Sequence, residues 1–239
     1  MKILAIDSSA VVGSVALCED EKLIGITTLN TGNTHSETLL VCVNELLSKA
    51  GWSVNDIELF ACTNGPGSFT GIRIGVSVVK GMAFGRQDKC CAGVSTLEAL
   101  AYNLTDREGV VCAVMDARRS QLYNALFRCD GKRLERLTPD RLISAKELDN
   151  ELSQYNESVY FCGDGCKVAL EAVKSDNVKY VNTFATYQSA YSVARLALEE
   201  YGRGRAVSDR ELLPVYLRAS QAERERLEKE KNREVNNNG

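Results

Sequence analysis

Three groups of residues carry donor and acceptor chemistry at spacings suited to an anion. Asp7-Ser8-Ser9 ends the first apolar run, where a carboxylate and two hydroxyls could hold a metal-bound phosphate or simply close a turn by local hydrogen bonds. Asn64-Gly65-Pro66-Gly67-Ser68-Phe69-Thr70-Gly71-Ile72-Arg73-Ile74-Gly75 lies between an apolar run, Ile57–Thr63, and a long small-residue helix pattern. Glycines at such a strand-to-helix turn let backbone N–H groups approach an anion, and the helix N-terminus adds a favourable dipole. Asp116-Ala117-Arg118-Arg119 repeats the aspartate-turn arrangement further along. The candidate phosphate ligands are Asp7, Ser8, Ser9, Gly65, Gly67, Ser68 and Asp116, and the ligand they would suit is ATP or ADP. The glycine stretch is neither a P-loop, since no lysine follows its last glycine, nor a dinucleotide fingerprint. It could equally serve close packing of a strand against helices.

Other catalytic equipment is sparse. His35 is the single histidine, so a histidine metal site lacks its second ligand and triad chemistry would have to run entirely through it. It stands at a helix entry beside Thr34 and Ser36, where capping by its neighbours is the alternative. The nine cysteines are dispersed through apolar segments; this pattern predicts reduced thiols in a cytoplasmic core. Asp7 interrupts the first apolar run too early for a signal-peptide core, and no run approaches the length of a membrane span. A net charge of −3 argues against a stand-alone nucleic-acid binder.

The elements that position these groups follow from periodicity. Residues 2–30 predict a β-meander, 35–50 a helix stopped by Gly51, and about 71–85 a second helix with Arg73 and Lys80 as its only charges. Helices apolar nearly all round must be covered on more than one side, either by the rest of the chain or by another subunit; if a subunit covers them, Val41, Cys42, Val76 and Val79, with His35 and Lys80, are the candidate partner interface. Cys90–Val94 predicts a strand and Ser95-Thr96-Leu97-Glu98 a capping box. After a polar boundary near 103–109 the pattern restarts. Ala113-Val114-Met115-Asp116 and Ala125-Leu126 parallel Ala5-Ile6-Asp7 and Ala16-Leu17, and Gly163-Asp164-Gly165 parallels Gly65-Pro66-Gly67. The expectation is an α/β fold of two related lobes, 1–104 and 105–219, followed by a charged, disordered tail over 220–239.

Asp7-Ser8-Ser9, Thr34-His35-Ser36-Glu37-Thr38-Leu39-Leu40, the Asn64–Gly75 motif, and Pro214-Val215-Tyr216-Leu217-Arg218 with Ser220-Gln221-Ala222-Glu223 together resemble the TsaB family of bacterial tRNA threonylcarbamoyladenosine biosynthesis proteins, over about residues 1–223. The resemblance implies actin/Hsp70/sugar-kinase-like lobes of ribonuclease H-like type with mixed sheets. It also implies a catalytic paralogue, TsaD, which transfers a threonylcarbamoyl group from an adenylate to N6 of the adenosine beside the tRNA anticodon. TsaD holds its metal through a His-x-x-x-His pair; here His35 has Leu39 four residues after it and Thr31 four before. By this resemblance the chain is a non-catalytic scaffold that activates TsaD together with the ATPase TsaE. It would meet tRNA only through the complex, need no metal or cofactor, and pair with a second copy when alone. A nucleotide-binding actin-like protein is the alternative, and a glycoprotease-like peptidase lacks the ligands it would need.

Overall fold

The apolar alternation of the first thirty residues becomes three antiparallel strands, β1 (Lys2–Asp7), β2 (Gly13–Glu19) and β3 (Lys22–Leu29). The computed structural model describes residues 1–218 except Gln87 and Tyr180; the expected charged tail over 220–239 lies outside them. Helix α1 (His35–Ala50) buries Leu39, Cys42, Val43, Leu46 and Leu47, a spacing that keeps one helical face on the core. It ends where Gly51 adopts a left-handed conformation, φ 67°, and donates its N–H back to the last turn. Strand β4 (Leu59–Gly65) lies parallel to β1 and leads through the glycine turn into α2 (Phe69–Ala83). This helix starts two residues earlier than expected because Ser68 caps it, its Oγ accepting from the Gly71 N–H at 3.2 Å. Strand β5 (Cys90–Ser95) completes a five-stranded sheet of order β3-β2-β1-β4-β5.

The same order recurs in the second half. β6 (Glu108–Asp116), β7 (Gln121–Asp130) and β8 (Leu134–Arg136) are antiparallel, while β10 (Val159–Cys162) and β11 (Val178–Lys179) join parallel to β6, giving β8-β7-β6-β10-β11. A short strand, β9 (Arg141–Ser144), also pairs with β7. The repeat read in the sequence holds at the level of register: Ala5 pairs with Ala16, and Ala113 with Ala125. Helices α4 (Ala145–Leu152) and α5 (Cys166–Ala172) cover one face of this second sheet, α4 opened by the reciprocal Ser144–Glu147 capping box. Two related lobes of ribonuclease H-like type, the actin-like architecture, are therefore present.

The remaining helices are exchanged between the lobes. α3 (Thr96–Tyr102) follows β5 of the first sheet but sets Leu97, Leu100 and Ala101 against Val111, Ala113, Ala125 and Phe127 of the second. α6 (Ala190–Gly202) follows the second sheet but closes the first, placing Ala190, Val193, Ala194 and Ala197 on Ile3, Ala5, Ala16, Leu59 and Ala61. Alternation along β1 explains the layering, since Ile3 and Ala5 face α6 whereas Leu4 and Ile6 face α1 and α2. The division of the chain at 104/105 therefore needs correction: residues 96–102 pack on the second sheet and 190–202 on the first, because a helix joins the sheet whose bare face it can bury, whatever its place in sequence. The expected capping box at Ser95 is only half formed. Ser95 Oγ accepts from the Glu98 N–H at 3.2 Å, but the Glu98 carboxylate is bound by Arg136 at 2.6 Å, tying α3 to the second lobe.

Small side chains on both sides allow α6 its close approach, so Ala194→Leu should overpack the contact and cost about 1–3 kcal/mol. Trp52, the single tryptophan, packs beside the first-lobe core and reports on that lobe. Urea unfolding followed by Trp52 fluorescence should shift to lower midpoint; an unmoved transition would mean that α6 does not close the first sheet.

Candidate functional site

Strand β1 delivers Asp7 to the lobe interior, fully buried. Its Oδ1 accepts from the Ser9 N–H (3.0 Å), Ser9 Oγ (2.6 Å) and Thr63 Oγ1 (3.0 Å), while Oδ2 is buried without a partner among the described residues. Burial raises its pKa above the ordinary value of 3.8, the hydrogen bonds from Ser9 and Thr63 opposing that rise only in part. Ser8 Oγ donates to the Gly71 carbonyl at 2.8 Å, and the Ser68 N–H donates to the Ser9 carbonyl at 2.7 Å. The glycine turn is thus docked on the aspartate turn, backbone to backbone. A Cβ on Gly71 would collide with the Ser8 carbonyl and one on Gly67 with that of Ser9. These glycines are required for close approach of protein to protein, and the space a phosphate would use at Gly71 is occupied by the chain itself. Gly65 is filled in the same way by the Val215 carbonyl. Of the proposed phosphate ligands, Asp7, Ser8, Ser9 and Gly65 are buried, Ser9 behind the wall of a cleft that Gly67, Ser68 and Asp116 line with accessible surface.

That cleft, about 640 Å³, opens between the lobes. One wall is the Ser9–Val11 turn with the glycine turn; the other is the β6–β7 turn and Asp164. Arg118, Arg119 and Ser120 all have positive φ, 66°, 56° and 58°, a left-handed turn that sets both arginines at the cleft, the Arg118 guanidinium 3.6 Å from Asp116 Oδ2. Asp116 Oδ1 fixes the turn by accepting from the Arg118 N–H at 2.7 Å. Asp116 and Asp7 occupy matching strand ends, yet only Asp7 is sealed. The second glycine turn is packed like the first, because a Cβ on Gly165 would meet the Met115 backbone.

The late Pro214–Arg218 segment straps this region together. Val215 N–H donates to the Asn64 carbonyl at 2.7 Å, Tyr216 packs on Phe69 with ring centroids 4.8 Å apart, and Arg73 lies 3.8 Å over Phe69 while donating to the Tyr216 hydroxyl at 2.8 Å. Arg218 then reaches the second lobe, donating to the Ala117 carbonyl at 2.8 Å. The sequence offered the motif but no signal of this path, which depends on contacts more than a hundred residues apart.

The interface candidates divide sharply. Val76 (3% exposed) and Val79 (0%) face the first-lobe core, as does Cys42, so none of the three is on the surface. Arginine at Val76 or Val79 would bury an unpaired charge and unfold the lobe, which corrects the expectation that these positions probe a partner. Lys80 is also committed internally, its ammonium donating to the Arg210 and Leu212 carbonyls at 3.3 and 3.0 Å. His35 is half-buried with Nε2 2.6 Å from the Ala10 carbonyl, which pins α1 to the β1–β2 turn; Thr34 supplies no side-chain cap. Val41 alone of the apolar candidates is exposed. Sequence reasoning missed the surface that does lie open: a groove of about 490 Å³ between α1 and α2, where Leu39, Leu40, Phe69, Ile74 and Val78 meet, with Leu40 49% exposed. On a helix nearly all apolar, periodicity could not tell its outer stripe, Ile74–Val78, from its inner one, Val76–Val79.

Because the folded protein favours protonated Asp7, it binds more protons than the unfolded chain between pH 3.8 and the raised native value, so stability falls as pH rises through that window. Asp7→Asn should remove this contribution: paired urea unfolding at pH 4 and pH 8 should show a smaller loss of stability toward pH 8 than in the parent. An unchanged pH dependence would show Asp7 to be ionised in its buried site.

A family model described as TsaD, tRNA N6-adenosine threonylcarbamoyltransferase, matches residues 16–226. The tRNA threonylcarbamoyladenosine biosynthesis protein TsaB of Bacillus subtilis is 28% identical, with 97% of this chain and 100% of that protein covered. TsaB of Escherichia coli is 29% identical, with 91% and 95% covered. Among solved structures, YeaZ from Pseudomonas aeruginosa superposes with a TM-score of 0.80 at 26% identity, over 90% of this chain and 99% of that one. With a family-model match from residue 16 to the last described residue, the chain belongs to the family described as TsaD, tRNA N6-adenosine threonylcarbamoyltransferase.

Proposed function

We propose that this protein is a non-catalytic subunit of tRNA threonylcarbamoyladenosine synthesis in the cytoplasm, which docks on TsaD and, with TsaE, supports transfer of the threonylcarbamoyl group to N6 of the adenosine beside the anticodon. The observation that carries this reading is the apolar groove between α1 and α2, lined by exposed Leu40, with Phe84 73% exposed just past the end of α2. Isolated apolar side chains are ordinary on a surface, but a continuous hollow floored by two helices is the form in which partner helices are received. The TsaD-type metal pair is missing from α1: Leu39 stands four residues after His35, and His35 is tied to the Ala10 carbonyl. The groove would serve a TsaD helix pair or, when TsaD is absent, the same surface of a second copy. Contact with tRNA would come through the complex, in keeping with a net charge of −3.

A second reading places ATP or ADP in the interlobe cleft, favoured by its volume of about 640 Å³ and by Arg118 and Arg119 at its edge. Against it stands the backbone seam that fills the first glycine turn. Calorimetry with magnesium nucleotide on the parent and on the double variant Arg118→Ala/Arg119→Ala separates the two, since the nucleotide reading expects saturable binding that these arginines strengthen and the subunit reading expects none that depends on them.

Leu40→Asp should leave folding stability within about 0.5 kcal/mol, because the side chain is already half in water. Co-purification with TsaD should weaken by at least about 30-fold, as for an interface hot spot worth about 2 kcal/mol. Retained capture at parental yield would remove the groove from the interface. This chain mixed with threonylcarbamoyl-adenylate and tRNA in the absence of TsaD should yield no modified base, and product formation would overturn the non-catalytic assignment.

A further inference from the structure

The groove between α1 and α2 is apolar with one exception. Arg73 is the only lysine or arginine among its described lining residues, and no aspartate or glutamate is among them. Lys80, the other cation of α2, is turned onto the Arg210 and Leu212 carbonyls. The Arg73 guanidinium is held in place: it lies 3.8 Å over the Phe69 ring and 5.7 Å from the Tyr216 ring, and its Nε donates to the Tyr216 hydroxyl at 2.8 Å. Tyr216 is itself anchored, since the Val215 N–H before it donates to the Asn64 carbonyl and its ring packs on Phe69. Stacking and one hydrogen bond thus fix a single positive charge in an otherwise apolar wall.

Only Nε of that guanidinium is used. Its two terminal nitrogens have no acceptor among the described residues, and they present the planar fork that matches a carboxylate. In the open protein they face water, because Arg73 is exposed. A partner that covers the groove removes that water, and an arginine covered without an acceptor is a costly unpaired charge. A wholly apolar helix is therefore penalised at this end of the groove, whereas a helix that brings a carboxylate gains a charge-assisted pair. A second copy docking through the same surface brings another Arg73 and no groove-lining carboxylate to meet it.

We infer that Arg73 sets the specificity of the α1–α2 groove: its guanidinium fork pairs with an aspartate or glutamate on the apolar face of a partner helix, and the same charge disfavours a second copy of this chain. The inference rests on the groove being the surface that receives TsaD, and it adds the chemistry which that partner must present. The clamp of Phe69 and Tyr216 makes the pairing efficient, because a guanidinium already held in place loses little further freedom when it is bound.

The test is calorimetric titration of the full chain and its variants with TsaD, alongside sedimentation equilibrium of each chain alone. Arg73→Gln should weaken TsaD binding about tenfold or more, as when one member of a covered charge pair is removed. Its self-association should move the other way, tightening about threefold or more once the like charges are gone. Arg73→Lys keeps the charge but not the fork and should weaken TsaD binding by an intermediate factor. If Arg73→Gln fails to fold, which far-UV circular dichroism would reveal, Arg73→Lys decides, and parental affinity in it rejects the pairing. Tyr216→Phe removes only the hydrogen bond of the clamp and should cost less than Arg73→Gln; an equal loss would make Arg73 an anchor for the 214–218 strap and overturn the inference. Self-association of Arg73→Gln no tighter than that of the parent overturns it as well. Leu40→Asp separates this inference from the reading beneath it. Loss of TsaD in Leu40→Asp with parental affinity in Arg73→Gln sinks the inference and leaves the groove as the interface, whereas parental affinity in both removes the groove and the inference together.

Discussion

The seam between two turns holds the functional end of the first lobe together. Ser68 N–H on the Ser9 carbonyl and Ser8 Oγ on the Gly71 carbonyl bring the ends of β1 and β4 to backbone contact, which only glycine at 67 and 71 permits. That contact sets where α2 starts and thereby how it lies beside α1. Both the open groove between those helices and one wall of the interlobe cleft follow from it. Asp7 beneath the seam is the counterpart of its tightness: three donors converge on one oxygen, and the other has no partner among the described residues. A glycine turn of a kind that could cradle an anion is here satisfied from within.

The second organising feature is the exchange of α3 and α6. Each lobe supplies the helix that finishes the other, and Arg136 with Glu98 reinforces one of the two crossings. The strap from Val215 to Arg218 adds a third tie across the cleft. The lobes are therefore coupled by packing as well as by the chain that joins them, and their repeated topology is that of two halves which do not complete themselves.

Much of this was legible in the residues. The bounds of α1 followed from periodicity and Gly51, the meander from alternation, and the repeat from Ala5 and Ala16 against Ala113 and Ala125, which prove to be matched pairs in register. What was hidden has physical reasons. In α2, apolar on nearly every side, Val76 and Val79 point inward while Ile74 and Val78 border the groove, and composition alone does not distinguish those stripes. The roles of Ser8 and Gly71 depend on contacts between strand ends far apart in sequence. Short elements such as β9 and β11 lacked enough length to show a period.

The exchanged helices also bear on synthesis at the ribosome. The first sheet has all five strands once Ser95 has emerged, but the apolar face formed by Ile3, Ala5, Ala16, Leu59 and Ala61 has no cover until α6, which ends at Gly202. At about 5–20 residues per second, the nascent chain holds that face uncovered for roughly 5–20 s. The second lobe must be largely translated before the first can finish folding, so nascent chains cut short before α6 would be natural clients of chaperones.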